Sequence, residues 1–426
     1  MFNLNNIIFK LKKYPIEEAD KQLEILSSLS LDEKETWIAE RKWEIAKHHY
    51  ENNKIYKNII GGQFPDNWDD IPKITKSDLQ GSLQDLITKP FVKKELHIGN
   101  TSGSSGHPFY FAKDKYTHAL TWAYIKRMYS SYGIKKNELQ ARFYGIPLEP
   151  WNYRKEVLKD LVLQRERFPV FDLSDQVLDK YLDRFKRKKF TYIYGYTNSI
   201  VIFSRYLIKN NIILKEICPT LKLCIVTSEV CTKEDKLILE KAIGIKVVRE
   251  YGASELCIIA FDQPNGIWQL NTDTVFTETE KNTNNLLCTS LFNKAFPMVK
   301  YEIGDIGIIE KKQNGVSELK ELEGRTNDNI ILPSGKISPG LTFYYISRSI
   351  LESSGVLKEF IIKQTAINEF IFEVVSDNDL SEDVLKEIKL KAALYLENGL
   401  NIKIIRKEYI DRPTSGKIKH FYSLIN

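Results

Sequence analysis

The spacing of apolar residues divides the chain into three parts. Through residues 1–95 the pattern is mainly helical, with Leu23, Leu26 and Leu29 at every third position and a helix start at Ser30-Leu31-Asp32. From residue 96 onward, short β-like runs at 192–194, 221–226 and 245–248 alternate with helical stretches such as 233–242. This alternation predicts α/β layers with a partly parallel sheet, covered by the N-terminal helices.

The pattern changes again toward the C-terminus. Runs at 359–363, 370–375 and 402–405 read as strands, and 382–397 reads as a helix. We therefore expect two domains: a large N-terminal α/β layered domain over 1–326, with a helical cover over about 1–95, and a small α+β C-terminal lid domain over 327–426.

Composition fits a globular enzyme. A chain of 426 residues with 42% apolar and 12% aromatic residues exceeds the usual size of one core. The net charge of +6 is modest, and no aromatic interleaving typical of RNA-binding strands accompanies it, so no nucleic-acid partner is expected. Without a long apolar stretch or a secretory leader, we expect a cytoplasmic protein with no stable membrane insertion.

Two basic segments each allow two interpretations. Residues 1–13 could form a short basic helix that touches a membrane, although packing against the protein's own core is preferred. The cluster at 184–189 either ends a helix over 174–185, where cations are favoured, or attracts an anion. The five cysteines form no Cys-x-x-Cys pair, so a zinc site is unsupported, but Cys257 lies near enough to Glu255 to line a site.

The run Thr101-Ser102-Gly103-Ser104-Ser105-Gly106 is the strongest chemical signal. Hydroxyls and successive backbone N–H groups can surround phosphate oxygens, and glycine lets the backbone approach them closely. The lysine-bearing phosphate loop is excluded because His107, not lysine, follows Gly106. The run therefore predicts a nucleotide site with a different ATP chemistry.

Four further segments strengthen this interpretation. They are Tyr251-Gly252-Ala253-Ser254-Glu255, Tyr301-Glu302-Ile303-Gly304-Asp305, Gly324-Arg325-Thr326-Asn327-Asp328 and Arg412-Pro413-Thr414-Ser415-Gly416-Lys417. Taken in this order, the five segments resemble the adenylate-forming superfamily of acyl-CoA synthetases. Within it they are similar to the phenylacetate-CoA ligase branch with its CapK-like capsule-biosynthesis members. The resemblance covers about 101–417.

The resemblance implies a role for each segment. Residues 101–106 would hold the β- and γ-phosphates, Tyr251 would pack beside adenine with Gly252 and Ser254 around it, and Glu255 would hold Mg²⁺. Asp305 would accept the ribose hydroxyls, and the Arg325 guanidinium would donate to ribose or phosphate oxygens. Lys417 would reach the substrate carboxylate and the α-phosphate as a mobile cation.

Two positions depart from the family pattern. Many relatives carry Gly-x-Pro-Lys after the loop, whereas this chain has Phe109 in the lysine position, so cationic help comes from elsewhere or in part from His107. Relatives usually have Asp two residues after the hinge arginine, and here the residue is Asn327. A hinge remains possible because Asn tolerates unusual backbone angles.

The implied reaction is ATP-dependent activation of a carboxylic acid as an acyl-adenylate with release of pyrophosphate, followed by transfer to coenzyme A. The CapK-like resemblance also permits a role in surface-polysaccharide biosynthesis. Segments 143–145, 194–196 and 227–229 would border the acyl site, and their aromatic content indicates a planar or apolar acid. Two alternatives stay open: transfer of AMP to an acceptor hydroxyl, as in deazaflavin-cofactor adenylylating synthetases, or an inactive nucleotide-binding scaffold.

Overall fold

A computed structural model describes most of the chain, namely residues 9, 13–102, 108–135, 137–147, 149–312, 315–323, 329–339, 342–343, 346, 357–376, 378–408 and 421–425. The helices are α1 Ile16–Ser28, α2 Leu31–Asn52, α3 Lys54–Ile60, α4 Leu83–Leu86, α5 Lys115–Ser130, α6 Pro150–Val162, α7 Asp175–Arg187, α8 Thr197–Lys209, α9 Leu214–Ile217, α10 Lys233–Ile243 and α11 Glu382–Tyr395.

The strands alternate with these helices and dominate the second half of the chain. They are β1 His97–Ser102, β2 Pro108–Lys113, β3 Gln140–Phe143, β4 Arg165–Phe168, β5 Tyr192–Tyr196, β6 Leu223–Thr227, β7 Val247–Ala253, β8 Cys257–Asp262, β9 Trp268–Leu270, β10 Val275–Thr279, β11 Asn285–Ser290, β12 Tyr301–Lys311, β13 Ser317–Glu323, β14 Asn329–Ile331, β15 Ile337–Pro339, β16 Leu357–Ala366, β17 Glu369–Ser376, β18 Asn401–Lys407 and β19 Phe421–Ser423.

The chain forms two compact units, each built from separate stretches of sequence. The first comprises Met1–Thr101, Phe109–Lys136 and Arg249–Gly324, and the second comprises Ser102–Pro108, Asn137–Val248 and Arg325–Asn426. The division falls inside β7. The C-terminal stretch thus groups with the middle of the chain, and its expected role as a lid stays a prediction.

The first unit joins the N-terminal helices to antiparallel strands. Helix α2 begins where the sequence predicts, because the Ser30 hydroxyl accepts from the Glu33 N–H and the Glu33 carboxylate accepts from the Ser30 N–H at 2.8 Å. Helix α1 buries Leu23 and Leu26, while Leu29 lies just past its end. The strands run in the order β10-β11-β12-β13-β9-β8-β7, and β1 pairs with β2 in a separate two-stranded sheet.

The second unit contains a parallel sheet in the order β6-β5-β3-β4, which confirms the predicted α/β class. Its core is rich in phenylalanine, with Phe143 and Phe168 stacked 4.9 Å apart between ring centroids. Four further strands, in the order β18-β17-β16-β19, pack with α11 into a smaller core. Glu149, just before α6, accepts from Lys391 at 3.1 Å in α11, so the C-terminal stretch contacts the middle one.

Several expected boundaries move by a few residues. Helix α7 runs Asp175–Arg187 rather than over 174–185, and α11 ends at Tyr395 rather than at 397. Among the residues that the structure describes, no helix is both long and apolar enough to cross a bilayer. The expected basic helix at 1–13 lies almost wholly outside those residues.

Candidate active site

A β-hairpin carries the Tyr251–Glu255 segment. Strand β7 continues past the β-like run at 245–248 through Ala253, so Tyr251 lies within the strand. Residues 254–256 form the turn into β8. Gly252 is required here, because a Cβ atom would lie 2.4 Å from the Cys257 carbonyl oxygen. The close pairing of β7 and β8 therefore fixes Tyr251 and Glu255 on either side of one tight turn.

Tyr251 and Asp305 meet directly. The Tyr251 hydroxyl donates to Asp305 Oδ2 at 2.8 Å, and burial together with the Asp305 charge raises the pKa of the phenol well above its ordinary value. Asp305 lies inside β12, which continues to Lys311. Gly304 has φ +81° at an irregularity in the β11–β12 register, which turns the strand locally.

Glu255 is buried rather than solvated, with 5% of its surface exposed. The hydroxyl of Tyr301, itself fully buried, donates to Glu255 Oε1 at 3.2 Å. The Tyr301 ring stacks on Phe109, with centroids 6.1 Å apart and planes 10° from parallel. The start of β2, directly after the hydroxyl-rich run, is thus one aromatic ring away from the carboxylate expected to hold Mg²⁺.

Two lysines lie beside aromatic rings of β2, Lys76 at Phe109 and Lys113 at Phe111. Lys76 Nζ lies 5.5 Å from the Phe109 ring centroid, and its segment is tied to β12 by the hydrogen bond from Glu302 N to Ile74 O at 2.8 Å. Lys113, at the end of β2, is only 3% exposed. Burial lowers the pKa of Lys113, while Cys257 and Glu255 oppose that shift.

The groups around Glu255 suit a magnesium ion that is bound jointly by the protein and substrate phosphates, rather than one bound by protein ligands alone. Within the described part of the chain, no cluster of three or more His, Cys, Asp or Glu side chains could hold a metal. Mg²⁺ prefers oxygen ligands, keeps several waters and is often bound by one or two carboxylates with substrate phosphates. Glu255 fits this mode, since Tyr301 contacts only its Oε1 atom.

Several predicted site residues lie outside the described residues. These are Gly103, Ser104, Ser105, Gly106, His107, Arg325, Asn327 and Lys417. Thr101 and Ser102 end β1, and Ser254 is exposed in the hairpin turn. The roles of all these residues stay predictions.

Solved structures of one acyl-CoA ligase share this architecture. An open conformation of 2-hydroxyisobutyryl-CoA ligase in complex with 2-HIB-AMP and CoA is 16% identical, with a TM-score of 0.56 over 92% of each chain. The same ligase with 2-HIB-AMP and CoA in the thioesterification state is 16% identical, with a TM-score of 0.57 over 91% of this chain and 89% of that one. The chain has the fold of this ligase. No protein-family model and no curated protein sequence matches it.

That likeness confirms the predicted fold class. The segments predicted to border the acyl site are described by their own contacts. In the second unit, Tyr144 packs against Tyr196 with ring centroids 4.0 Å apart, and its hydroxyl lies 3.1 Å from Ser228 Oγ. The Arg142 guanidinium sits 4.1 Å from the Tyr144 ring centroid. These groups gather where parallel strands β3, β5 and β6 end, the edge at which open α/β sheets bind ligands.

Glu229 adds a buried carboxyl at the same edge. Its Oε2 accepts from the Asn198 N–H at 2.8 Å in the first turn of α8, and no described group hydrogen-bonds the enclosed Oε1. Burial raises the pKa of Glu229 to about 7, which the Asn198 N–H opposes. The acyl-site segments are therefore more polar than their aromatic content indicated.

Sequence reasoning missed two residues beside Glu255. Tyr301 lies in the recognised 301–305 segment, but only Asp305 of that segment was given a role. Lys113 was not singled out. A signal for Lys113 exists: Phe109, Phe111 and Lys113 alternate along β2, so the lysine is in phase with two buried aromatic rings. The Cys257 thiol donates to the Thr121 carbonyl oxygen at 3.9 Å, and its place in the lining of the site stays a prediction.

Proposed function

We propose that the protein is an ATP- and Mg²⁺-dependent ligase that activates a carboxylic acid as an acyl-adenylate, releases pyrophosphate and passes the acyl group to coenzyme A. We place it in the phenylacetate-CoA ligase branch, among CapK-like members that act in surface-polysaccharide biosynthesis. The supporting observation is that two carboxylates, Glu255 and Asp305, are each held by a tyrosine hydroxyl, from Tyr301 of β12 and Tyr251 of β7 respectively. The ligase with the same fold was solved with an acyl-AMP and CoA.

The residues divide the work by position. Tyr251 orients Asp305, whose carboxylate retains acceptor capacity for ribose hydroxyls because an ionised carboxylate has about four lone-pair sites. Tyr301 holds Glu255 so that its second oxygen can ligate Mg²⁺, which supplies charge stabilisation at the phosphates when bound. Lys113, buried at the end of β2, interacts electrostatically with Glu255. Lys417 would stabilise charge on the α-phosphate from the C-terminal stretch.

ATP–pyrophosphate exchange across a panel of carboxylic acids tests this proposal. We expect exchange with at least one acid, and a loss of about a hundredfold or more in Glu255→Gln and in Lys417→Ala, typical of removing one charge-stabilising group. Asp305→Asn should raise the KM for ATP. Glu310→Gln is the matched control, because Glu310 lies on the same strand β12 but pairs with surface lysines.

The acceptor is read in a second assay on the same protein. Coenzyme A should convert the adenylate into a thioester with release of AMP. ATP binding without exchange for any acid would contradict the proposal and favour an inactive scaffold. A stable AMP conjugate on an acceptor hydroxyl would instead support adenylyl transfer.

A further inference from the structure

Helix α6 turns its charged side toward the sheet. Arg167 of β4 donates from Nε to Asp160 Oδ2 at 2.7 Å and from Nη2 to Glu156 Oε2 at 3.2 Å. Asp160 is only 6% exposed. The sheet beneath also contains Arg165, whose pKa burial lowers to about 10, with Arg142 adding to the shift and Asp160 opposing it. Ion pairs therefore dock α6, where an apolar stripe ordinarily would.

The opposite side of α6 is apolar and exposed. Trp151, Leu158 and Leu161 are 68%, 63% and 66% exposed, and Tyr153 and Val157 are exposed beside them. Trp151 and Leu158 lie seven residues apart, so they share one helical face. Scattered apolar residues on a surface are normal, but a contiguous group on one helix marks an interaction site.

The charge on this exposed face has a single sign. Helix α6 contains two carboxylates, Glu156 and Asp160, and both pair with Arg167. Its three cations Arg154, Lys155 and Lys159 are all exposed, and among the described residues no carboxylate pairs with Arg154 or Lys155. Lys155 Nζ lies 5.1 Å from the Trp151 ring centroid, within the apolar patch. The face therefore suits a partner that is both apolar and anionic.

We propose that α6 is a membrane-surface helix that binds anionic phospholipid bilayers, lying in the headgroup plane. Exposed Trp and Leu can enter the boundary between headgroups and acyl chains while Arg and Lys contact lipid phosphates. A second copy of the chain is a poorer occupant, because two such faces would oppose like charges. This inference stands independently of the proposed function.

Co-sedimentation of the full-length protein with lipid vesicles tests the proposal. We expect binding to vesicles of equimolar phosphatidylcholine and phosphatidylglycerol, weakening as salt is raised, and little binding to phosphatidylcholine alone. The double variant Lys155→Gln, Leu158→Gln should bind at least about tenfold more weakly. Loss of one cation should weaken binding roughly fivefold, and loss of the apolar Leu158 contact should weaken it further.

A matched variant controls for surface composition. Leu237→Gln with Lys241→Gln removes the same residue types from α10, where Leu237 is 69% exposed, and should leave vesicle binding unchanged. Equal binding to neutral vesicles, or an equal loss in both double variants, would overturn the proposal. So would a dimer in sedimentation velocity without lipid that Leu158→Gln abolishes. Pyrophosphate exchange in solution separates this outcome from failure of the ligase proposal, since the α6 residues lie outside the ligase machinery.

Discussion

Helices α6 and α7 are both thirteen residues long and both pack on strand β4, yet they do so by opposite means. Helix α7 buries Leu178, Leu182 and Phe185, and Phe185 stacks on Phe168 of β4 with centroids 5.1 Å apart. Helix α6 instead meets Arg167, the preceding residue of β4, through Glu156 and Asp160. Adjacent strand residues point to opposite faces, so one short strand presents an apolar surface to α7 and a cationic one to α6.

The comparison shows that amphipathicity does not by itself tell which side of a helix is buried. A helix buries whichever side complements the surface beneath it. For α7 that surface is a cluster of aromatic rings, and for α6 it is a group of arginines whose charge must be paired when buried.

The largest expected difference concerns the apolar residues of the two helices. Phe185→Ala should lower the free energy of unfolding by about 3–5 kcal/mol, since it leaves a cavity in the core. Leu158→Ala should change it by no more than about 0.5 kcal/mol, because Leu158 faces solvent. Urea unfolding followed by circular dichroism measures both. Similar losses in the two variants would mean that α6 buries its apolar side in solution.

The next effect is expected at the ion pairs. Arg167→Met should cost about 3 kcal/mol, because it leaves Asp160 buried without its partner. Arg184→Met, within α7 itself, is the counterpart and should cost about 1 kcal/mol, since Arg184 is partly exposed and its partner Glu166 on β4 still pairs with Lys188. In the double variant Arg167→Met, Asp160→Asn, much of the lost stability should return. If the double variant is as unstable as Arg167→Met alone, the loss of stability comes from packing of the arginine side chain and not from the unpaired carboxylate.

Acid should weaken the docking of α6. The pKa of Glu156 is lowered: burial would raise it, but Lys159, Arg167 and Arg142 outweigh burial. A carboxyl with a lowered folded-state pKa stabilises the fold above its unfolded pKa, and that contribution is lost as pH falls through the folded value. Glu156→Gln should therefore lose less stability than the wild type as the pH falls from neutral into the acid range. Equal pH dependence in the two proteins would contradict ion-pair docking.

The smallest effect is expected at the basic end of α7. Lys188→Gln should change the unfolding free energy by about 0.5 kcal/mol or less, because Arg184 still pairs with Glu166. The ion pairs here favour the helix-end interpretation of the 184–189 cluster. Differential scanning calorimetry measures this change. A clearly larger loss would contradict the prediction and would mean that the Lys188 ion pair stabilises the fold.

Local patterns predict α7 well because its own sequence contains the information. Its apolar residues recur at helical spacing, and the cations in its last turn match the helix dipole. Helix α6 was not predicted, and its pattern would have placed Trp151 and Leu158 inward. The orientation of α6 is reversed because its carboxylates pair with Arg167. Arg167 lies on β4, so no periodicity within α6 reveals it.

The candidate site shows the same division between local and long-range information. Motifs indicate Tyr251, Glu255 and Asp305, and the structure pairs Tyr251 with Asp305 across 54 positions of sequence. Neither the Tyr301 contact with Glu255 nor the burial of Lys113 follows from a motif, since each depends on strand pairing.

Because α6 is attached through its charged side, its buried and exposed residues are under different evolutionary constraints. Substitutions among Glu156, Asp160 and Arg167 are limited by folding, whereas those at Trp151, Lys155 and Leu158 are free of that limit. Related chains could therefore gain, lose or change the partner of this surface while the fold beneath stays the same, so the two faces of a single helix can diverge at different rates.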